Sequence, residues 1–205
     1  RPLLETAGNI FKETDRDYFL AVVLVHHGNV ELGLGHPEKA RSVLEEALSV
    51  ARPLNERWIL SFVLNNLGEV ARTQGEYEKA RGYYEECTQL LQDTDDRGDM
   101  ARFTHSLAYI DQYQGDLELA ESKFHEGLAM FRRLGNRRGI SECLAGLAGV
   151  RARQGQVEWG ATMLSAAETL LKSTGGDWWP ADQVEVERNR EMIQSSLEED
   201  VFEGA

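Results

Sequence analysis

One acidic stretch begins with the spacing of a calcium loop. Asp93-Thr-Asp95-Asp96-Arg-Gly98 places carboxylates before a glycine at the sixth position, as such loops do. However, Arg97 holds the fifth position and Thr104 holds the twelfth, where a bidentate glutamate is needed. A turn in which Asp95 or Asp96 caps the following helix accounts for the same residues. The sequence therefore predicts a solvated turn and no calcium site.

The histidines and cysteines also lack the spacing of a ligand set. His26 and His27 are adjacent, so on a helix they point about 100° apart and cannot share an ion as i, i+4 ligands would. Because His27 falls on a core position, we interpret it as a packed, hydrogen-bonded histidine. Cys87 and Cys143 follow no pattern and are typical of small core residues in a reducing compartment. We expect no metal, no cofactor and no catalytic residue, and hence no enzyme.

The charge balance narrows the classes of partner. The 205 residues carry a formal net charge of −13, which argues against binding nucleic acid or an anionic membrane surface. No apolar run approaches the roughly 20 residues that span a bilayer, and no signal peptide is evident. The sequence therefore predicts a cytoplasmic protein without a membrane contact.

A six-residue turn recurs with a fixed period of 40 residues. It reads Gly75-Glu-Tyr-Glu-Lys-Ala80, and its equivalents are Gly35-His-Pro-Glu-Lys-Ala40, Gly115-Asp-Leu-Glu-Leu-Ala120 and Gly155-Gln-Val-Glu-Trp-Gly160. A glycine that ends one helix, followed by residues that open the next, is a common helix connection. A repeat of this length predicts a solenoid of antiparallel helical hairpins.

The period divides most of the chain into repeats. The boundaries fall at about residues 16–53, 54–93, 94–134 and 135–175, after a partial repeat at 1–15. Together they predict a solenoid domain over residues 1–176. Because residues 1–15 match the second helix of a repeat, we expect a truncated end that supports self-association. Residues 177–205 predict a capping helix and an acidic tail, with an apolar stripe at Val184, Arg188, Met192 and the pair of Ile193 and Leu197.

The repeat resembles the tetratricopeptide (TPR) repeat. Its large, small and aromatic positions in the second repeat are Leu64, Leu67, Gly68, Ala80, Tyr84 and Cys87. The period is longer than the usual 34 residues, and in this respect it resembles the repeats of LuxR-type regulators and related signal-transduction (STAND) NTPases. The resemblance implies an all-α, right-handed TPR-like superhelix with a C-terminal capping helix.

The same resemblance implies a non-catalytic domain that binds a protein or peptide. Such a domain would serve as the sensor arm of a larger cytoplasmic signalling NTPase or transcriptional regulator, contacting the NTPase and effector domains of that chain. A free-standing scaffold that bridges protein partners is the alternative.

In the TPR family, the first helix of each repeat lines the concave wall. Carried over by position, this wall predicts a partner-binding groove at Asn65, Glu69, Arg72, Arg102, His105, Tyr109, Gln112, Tyr113, Glu142 and Arg153. His105, Tyr109 and Tyr113 form one stripe at a spacing of four residues, beside a dent at the small residues Ala145 and Gly149. We expect the tyrosines to be unnecessary for packing, and the arginines to favour an acidic partner.

Overall fold

The computed structural model describes residues 2–14, 16–94 and 96–203, with side chains through residue 197. Within these ranges, the regular secondary structure consists of ten helices. They are α1 (Pro2–Glu13), α2 (Asp17–Gly33), α3 (Pro37–Leu54), α4 (Arg57–Thr73), α5 (Tyr77–Leu91), α6 (Arg97–Gln114), α7 (Leu117–Arg133), α8 (Arg137–Arg153), α9 (Val157–Lys172) and α10 (Pro180–Glu203). The prediction of an all-α chain is confirmed.

The helices pair as the 40-residue period predicts. In the hairpins α2–α3, α4–α5, α6–α7 and α8–α9, the two helices pack on each other more extensively than on any other helix. The first helices of neighbouring hairpins also touch, α2 with α4 and α6 with α8. We call the surface of α2 and α4, and separately that of α6 and α8, a first-helix wall.

The recurrent glycine ends the first helix of each hairpin. Gly75 has a φ of +75°, and the equivalent Gly35, Gly115 and Gly155 also have positive φ. The N–H of Gly75 donates to the Arg72 carbonyl, and the N–H of Glu76 donates to the Ala71 carbonyl at 2.8 Å. These bonds satisfy the last carbonyls of α4 in a conformation that glycine adopts without strain.

Side chains and a proline fix other helix ends. The Asp96 carboxylate accepts a hydrogen bond from the Asp99 N–H at 3.1 Å and caps α6, so the acidic turn has the predicted capping role. Asp95, the other predicted cap, lies outside the described residues. Pro53 lies one residue before the end of α3, where Asn55 then takes the left-handed conformation.

The repeat motif forms the centre of each hairpin. Leu64, Leu67, Ala80, Tyr84 and Cys87 are all buried. A Cβ on Gly68 would lie 2.6 Å from the Tyr84 ring, so a glycine is needed for this close approach. The large, small and aromatic positions assigned to the repeat motif thus pack together in the core of the hairpin.

The chain forms two compact units, residues 1–95 (unit 1) and 96–205 (unit 2). Unit 1 holds α1 to α5, and unit 2 holds α6 to α10. A domain boundary after residue 176 stays a prediction, and α10 packs on α8 and α9 within unit 2. None of the helices in the described part of the chain combines the length and apolar composition needed to cross a membrane.

Candidate functional site

In unit 1, the three predicted groove residues are buried or half-buried, and two of them are bonded to each other. Arg72 is buried and donates from Nη2 to Oε2 of Glu69 at 3.0 Å. The Tyr84 hydroxyl donates to the other carboxylate oxygen of Glu69 at 2.6 Å. Asn65 is also buried, so the prediction that Arg72 projects from this wall toward an acidic partner is wrong. Its charge is neutralised by Glu69 inside the hairpin.

In unit 2, the predicted aromatic stripe is divided between the core and the surface. The Tyr109 ring is fully buried and lies edge-to-face on Phe124, with centroids 4.9 Å apart. His105 is buried edge-to-face on Tyr109 at 5.1 Å. The expectation that Tyr109 is unnecessary for packing is therefore wrong. The small residues Ala108 and Gly146 leave space beside Phe124, and the Tyr109 ring belongs to the same core cluster.

The rest of the stripe differs in exposure. Gln112 is buried and donates to the Gly146 carbonyl at 3.1 Å, so it bonds α6 to α8. Tyr113 is 57% exposed, and the Arg188 guanidinium lies over its ring, 5.6 Å from the centroid. Arg102 is exposed, with Nη2 3.8 Å from a carboxylate oxygen of Asp99. Of the predicted groove residues in α6, Arg102 and Tyr113 thus remain on the surface.

Helix α10 fills the predicted dent. The side chain of Asn189 occupies the space that a Cβ on Gly149 would need. Arg153 donates from Nη1 to the Asn189 side-chain oxygen at 2.7 Å and to the Gly149 carbonyl at 3.2 Å. Partial desolvation lowers the pKa of Arg153, and the Glu185 carboxylate opposes that shift. The small residues at Ala145 and Gly149 make room for this chain's own helix.

The buried face of α10 includes Met192, Ile193 and Leu197 of the predicted stripe but differs from it nearer the start of the helix. Val186 and Ile193 are buried in a core cluster with Ala145 and Ala148, whereas Val184 and Arg188 are only half-buried. Asp182, Glu185 and Asn189 are buried on that same face. The physical reason is that the facing wall carries polar groups such as Arg153. These groups interact with the acidic and amide side chains of α10, so that those side chains can be buried.

Three ionisable side chains meet at the start of α10. His105 of α6, Glu142 of α8 and Asp182 of α10 are all buried, and each offers a ligand atom within 4.8 Å of the others. Arg138 lies beside them, with Nε 3.4 Å from Oε1 of Glu142. The next residue, Cys143, has a thiol whose pKa is raised by burial and further by the Glu142 and Asp182 carboxylates. Linear spacing could not reveal this cluster, because its members come from three helices.

His27 is half-buried within α2. Its Nε2 lies 3.5 Å from Oε1 of Glu31, one turn along the helix, and Nδ1 of His36 lies 2.9 Å from the other oxygen of Glu31. The fully buried carboxylate therefore lies between two imidazoles. The prediction of a packed histidine is confirmed in part, since His27 lies beside Glu31 without a hydrogen bond from its Nε2 to any described residue.

Sequence reasoning missed a row of aromatic side chains on the wall of unit 1. The Tyr18 and Trp58 rings stack with centroids 6.5 Å apart, and Trp58 stacks on Phe62 at 5.4 Å. His26 meets Phe62 edge-on at 5.9 Å. We call these four side chains the aromatic row. The 40-residue period could have revealed this row, because Tyr18 and Trp58 are 40 residues apart and occupy equivalent positions in consecutive repeats.

The solved structures similar to this chain define its class as a TPR-like helical repeat solenoid. BtubC (BKLC) from P. vanneervenii is 18% identical, with a TM-score of 0.64, over 95% of this chain and 88% of that one. The TPR-like repeats of a putative kinesin light chain from Podosopora anserina are 15% identical, with a TM-score of 0.61, over 86% of this chain and 87% of that one. At this identity, the likeness shows the fold alone.

The family follows from the sequence match. The model of the MalT-like TPR region matches residues 10–197, and the chain belongs to that family. The predicted resemblance to tetratricopeptide repeats is confirmed. No curated protein matches the chain. A TPR-like repeat fold is generally a non-catalytic scaffold for protein–protein interaction, and the chain has the architecture of such a domain.

Proposed function

We propose that the chain is a non-catalytic protein-binding domain whose partner contacts the aromatic row of unit 1. The observation that carries the proposal is the exposure of that row. Trp58 is 47% exposed and Tyr18 is 39% exposed, and both are held by stacking on neighbouring rings. Rigid aromatic side chains supply a large contact area at a low cost in conformational entropy, which makes them frequent anchors of interfaces.

The equivalent surface of unit 2 supports the choice of unit 1. Eighty residues after Tyr18 and Trp58, the repeat places Gly98 and Arg138 instead of aromatic rings. The guanidinium of Arg138 lies over the Trp179 ring at 4.8 Å and donates to the Asp177 carbonyl. That position is therefore already occupied by contacts with the segment that leads into α10.

The chemistry of the row favours apolar contact with the partner over an acidic ligand. Arg72 and Arg153, two of the three arginines assigned to an acidic partner, are bonded to Glu69 and to Asn189. The charge of Arg72 is balanced by Glu69 within the hairpin, and the guanidinium of Arg153 is engaged by neutral oxygen acceptors of α8 and α10. The partner that this surface suits presents apolar or aromatic side chains, spaced to lie along the stacked rings.

The wider role that we propose is the sensor arm of a larger cytoplasmic regulator with an NTPase module. The family match and the resemblance to LuxR-type repeats support it. Binding at the wall would then bias the parent protein between inactive and active states. A free-standing scaffold is the alternative, and sequencing the complete reading frame separates the two, since only the regulator encodes an NTPase module.

Binding measurements on matched tryptophan variants test the proposal. The wild-type chain captures its partner from a lysate of the native cells, and the purified partner is then titrated by calorimetry. We expect Trp58→Ala to weaken binding at least about tenfold, or ~1.4 kcal/mol. Trp159, which is 56% exposed on α9, provides the control, and Trp159→Ala should bind like the wild type. A loss confined to Trp159→Ala would place the interface on the second helices and refute the proposal.

A further inference from the structure

The buried cluster of His105, Glu142 and Asp182 has the composition of a metal centre. An imidazole and two carboxylates converge from α6, α8 and α10, with ligand atoms within 4.8 Å of one another. None of the three residues is more than 5% exposed. Buried carboxylates are rare in proteins unless they are paired or coordinate a metal.

The spacing within the cluster suits a shared ion. Nε2 of His105 lies 3.7 Å from Oδ1 of Asp182, which is longer than a hydrogen bond between these atoms. Two ligands bound at ~2.0–2.1 Å to one tetrahedral ion are about 3.3–3.4 Å apart. Small side-chain rotations would therefore bring both atoms into a coordination shell. The edge-to-face contacts of His105 with Tyr109 and Phe124, at 5.1 and 6.1 Å, hold the imidazole plane for this role.

The charges of the cluster are also compatible with a divalent cation. Two carboxylates and one neutral imidazole sum to −2, which a divalent ion balances. Arg138 approaches the Glu142 carboxylate at 3.4 Å, and its guanidinium also contacts Asp177 and Trp179. A mixed nitrogen and oxygen donor set favours zinc over calcium or magnesium, which prefer oxygen ligands only.

We propose that His105, Glu142 and Asp182 bind one divalent ion of the zinc class. Three protein ligands leave a fourth position of a tetrahedral shell for water or another ligand. Since the ligands belong to three different helices, the ion fastens the first turn of α10 to the first-helix wall of unit 2. The site thereby links the availability of a metal ion to the stability of α10 on this wall.

A metal titration of the whole chain tests the proposal. The purified chain is treated with a chelator, dialysed and titrated with Zn²⁺ by calorimetry, and with Co²⁺ by visible absorption. We expect one tight equivalent per chain, a tetrahedral Co²⁺ spectrum and a higher melting temperature with Zn²⁺. Asp182→Asn and Glu142→Gln, which keep the side-chain shapes, should each weaken Zn²⁺ binding more than tenfold.

The chain offers a matched control for this experiment. His125 lies 3.7 Å from Oε1 of Glu121, the same separation as in the buried pair, but its side chain is 56% exposed. His125→Gln should leave Zn²⁺ binding unchanged. The absence of a tight equivalent in the wild type would overturn the proposal, even if the variants fail to fold. Unchanged binding in Asp182→Asn and Glu142→Gln, or a preference for Ca²⁺ over Zn²⁺, would also overturn it.

Discussion

At the scale of single residues, close helix packing depends on pairs of one small and one large side chain. Gly68 of α4 and Tyr84 of α5 form such a pair, with the ring lying where a Cβ on residue 68 would stand. The Tyr84 hydroxyl is fixed by its hydrogen bond to Glu69 at 2.6 Å, so the ring cannot easily move aside. This pair joins the packing of the hairpin to the ion pair of Glu69 with Arg72.

Gly68→Ala should destabilise the chain because the new methyl group collides with the Tyr84 ring. We expect a loss of about 1–3 kcal/mol in the free energy of unfolding, measured by urea denaturation. Gly82 in α5 is the control, since a Cβ there meets no heavy atom within 4 Å. Gly82→Ala should instead stabilise the chain by roughly 0.5–1 kcal/mol, because alanine is the better helix former. Equal effects of the two substitutions would contradict the packing described for α4 and α5.

The two cysteines should be unreactive in the folded chain. Cys87 and Cys143 are both buried, and the pKa of the Cys143 thiol is raised by burial, by Glu142 and by Asp182. The thiolate, which is the reactive form, is therefore scarce at Cys143 near neutral pH. A thiol reagent should label both cysteines quickly in denaturant and slowly in native buffer.

The sign of this shift also gives a pH dependence. Because the folded-state pKa of Cys143 lies above the ordinary value of 9.0, the folded state keeps a proton that the unfolded state releases. The contribution of Cys143 to stability is therefore present below about pH 9 and is lost at higher pH. In the labelling experiment, fast reaction of Cys143 with the thiol reagent in native buffer would contradict the burial of this side chain.

At the scale of elements, α10 shows how far sequence reasoning reached. The sequence predicts a capping helix after residue 176, and α10 does pack on α8 and α9. The predicted stripe is right in part, since Ile193 is buried in the core cluster and Met192 and Leu197 pack against it. It missed Val186, which is buried there, and it included Val184 and Arg188, which are only half-buried. Periodicity identifies an apolar face, but the polar residues of the opposing wall decide which face is buried. The buried face of α10 therefore depends on which helices pack against it, and the sequence of α10 alone does not specify it.

Matched valines in α10 test the buried face. Val186→Ala removes two methyl groups from the core cluster of α8, α9 and α10, and it should cost about 1–3 kcal/mol in the free energy of unfolding. Val184 is half-buried, so Val184→Ala should cost less than half as much. Thermal unfolding followed by circular dichroism measures both. If Val184→Ala is the more damaging change, the sequence-based stripe is right and the α10 packing is wrong.

At the scale of the whole molecule, the period of 40 residues predicted the helices, their pairing and the family. The positions of Gly35, Gly75, Gly115 and Gly155 set the ends of the first helices, and the repeat motif set the core. The binding groove was harder to predict, because a wall position such as Tyr109 or Arg72 can also turn into the hairpin. Only the packing of neighbouring helices distinguishes an exposed wall residue from a core residue.

The first-helix walls of the two units differ in what covers them. The wall of α6 and α8 carries α10, with Asn189 seated over Gly149. The wall of α2 and α4 presents the aromatic row, in which Trp58 and Tyr18 are exposed. We therefore expect partner binding to depend on unit 1 side chains and to survive changes at Tyr113, although Tyr113 is more exposed than either of them.

Site-specific photo-cross-linking tests the central claim, partner binding at the aromatic row, most directly. A photoreactive benzoyl-phenylalanine replaces Trp58 in one version of the chain and Trp159 in another, and both are irradiated in the native cells. The account predicts a covalent adduct with the same partner protein that the wild-type chain captures, formed from position 58 and not from position 159. An adduct formed from position 159 alone would contradict it, as would the absence of any adduct from position 58 while the partner is still captured.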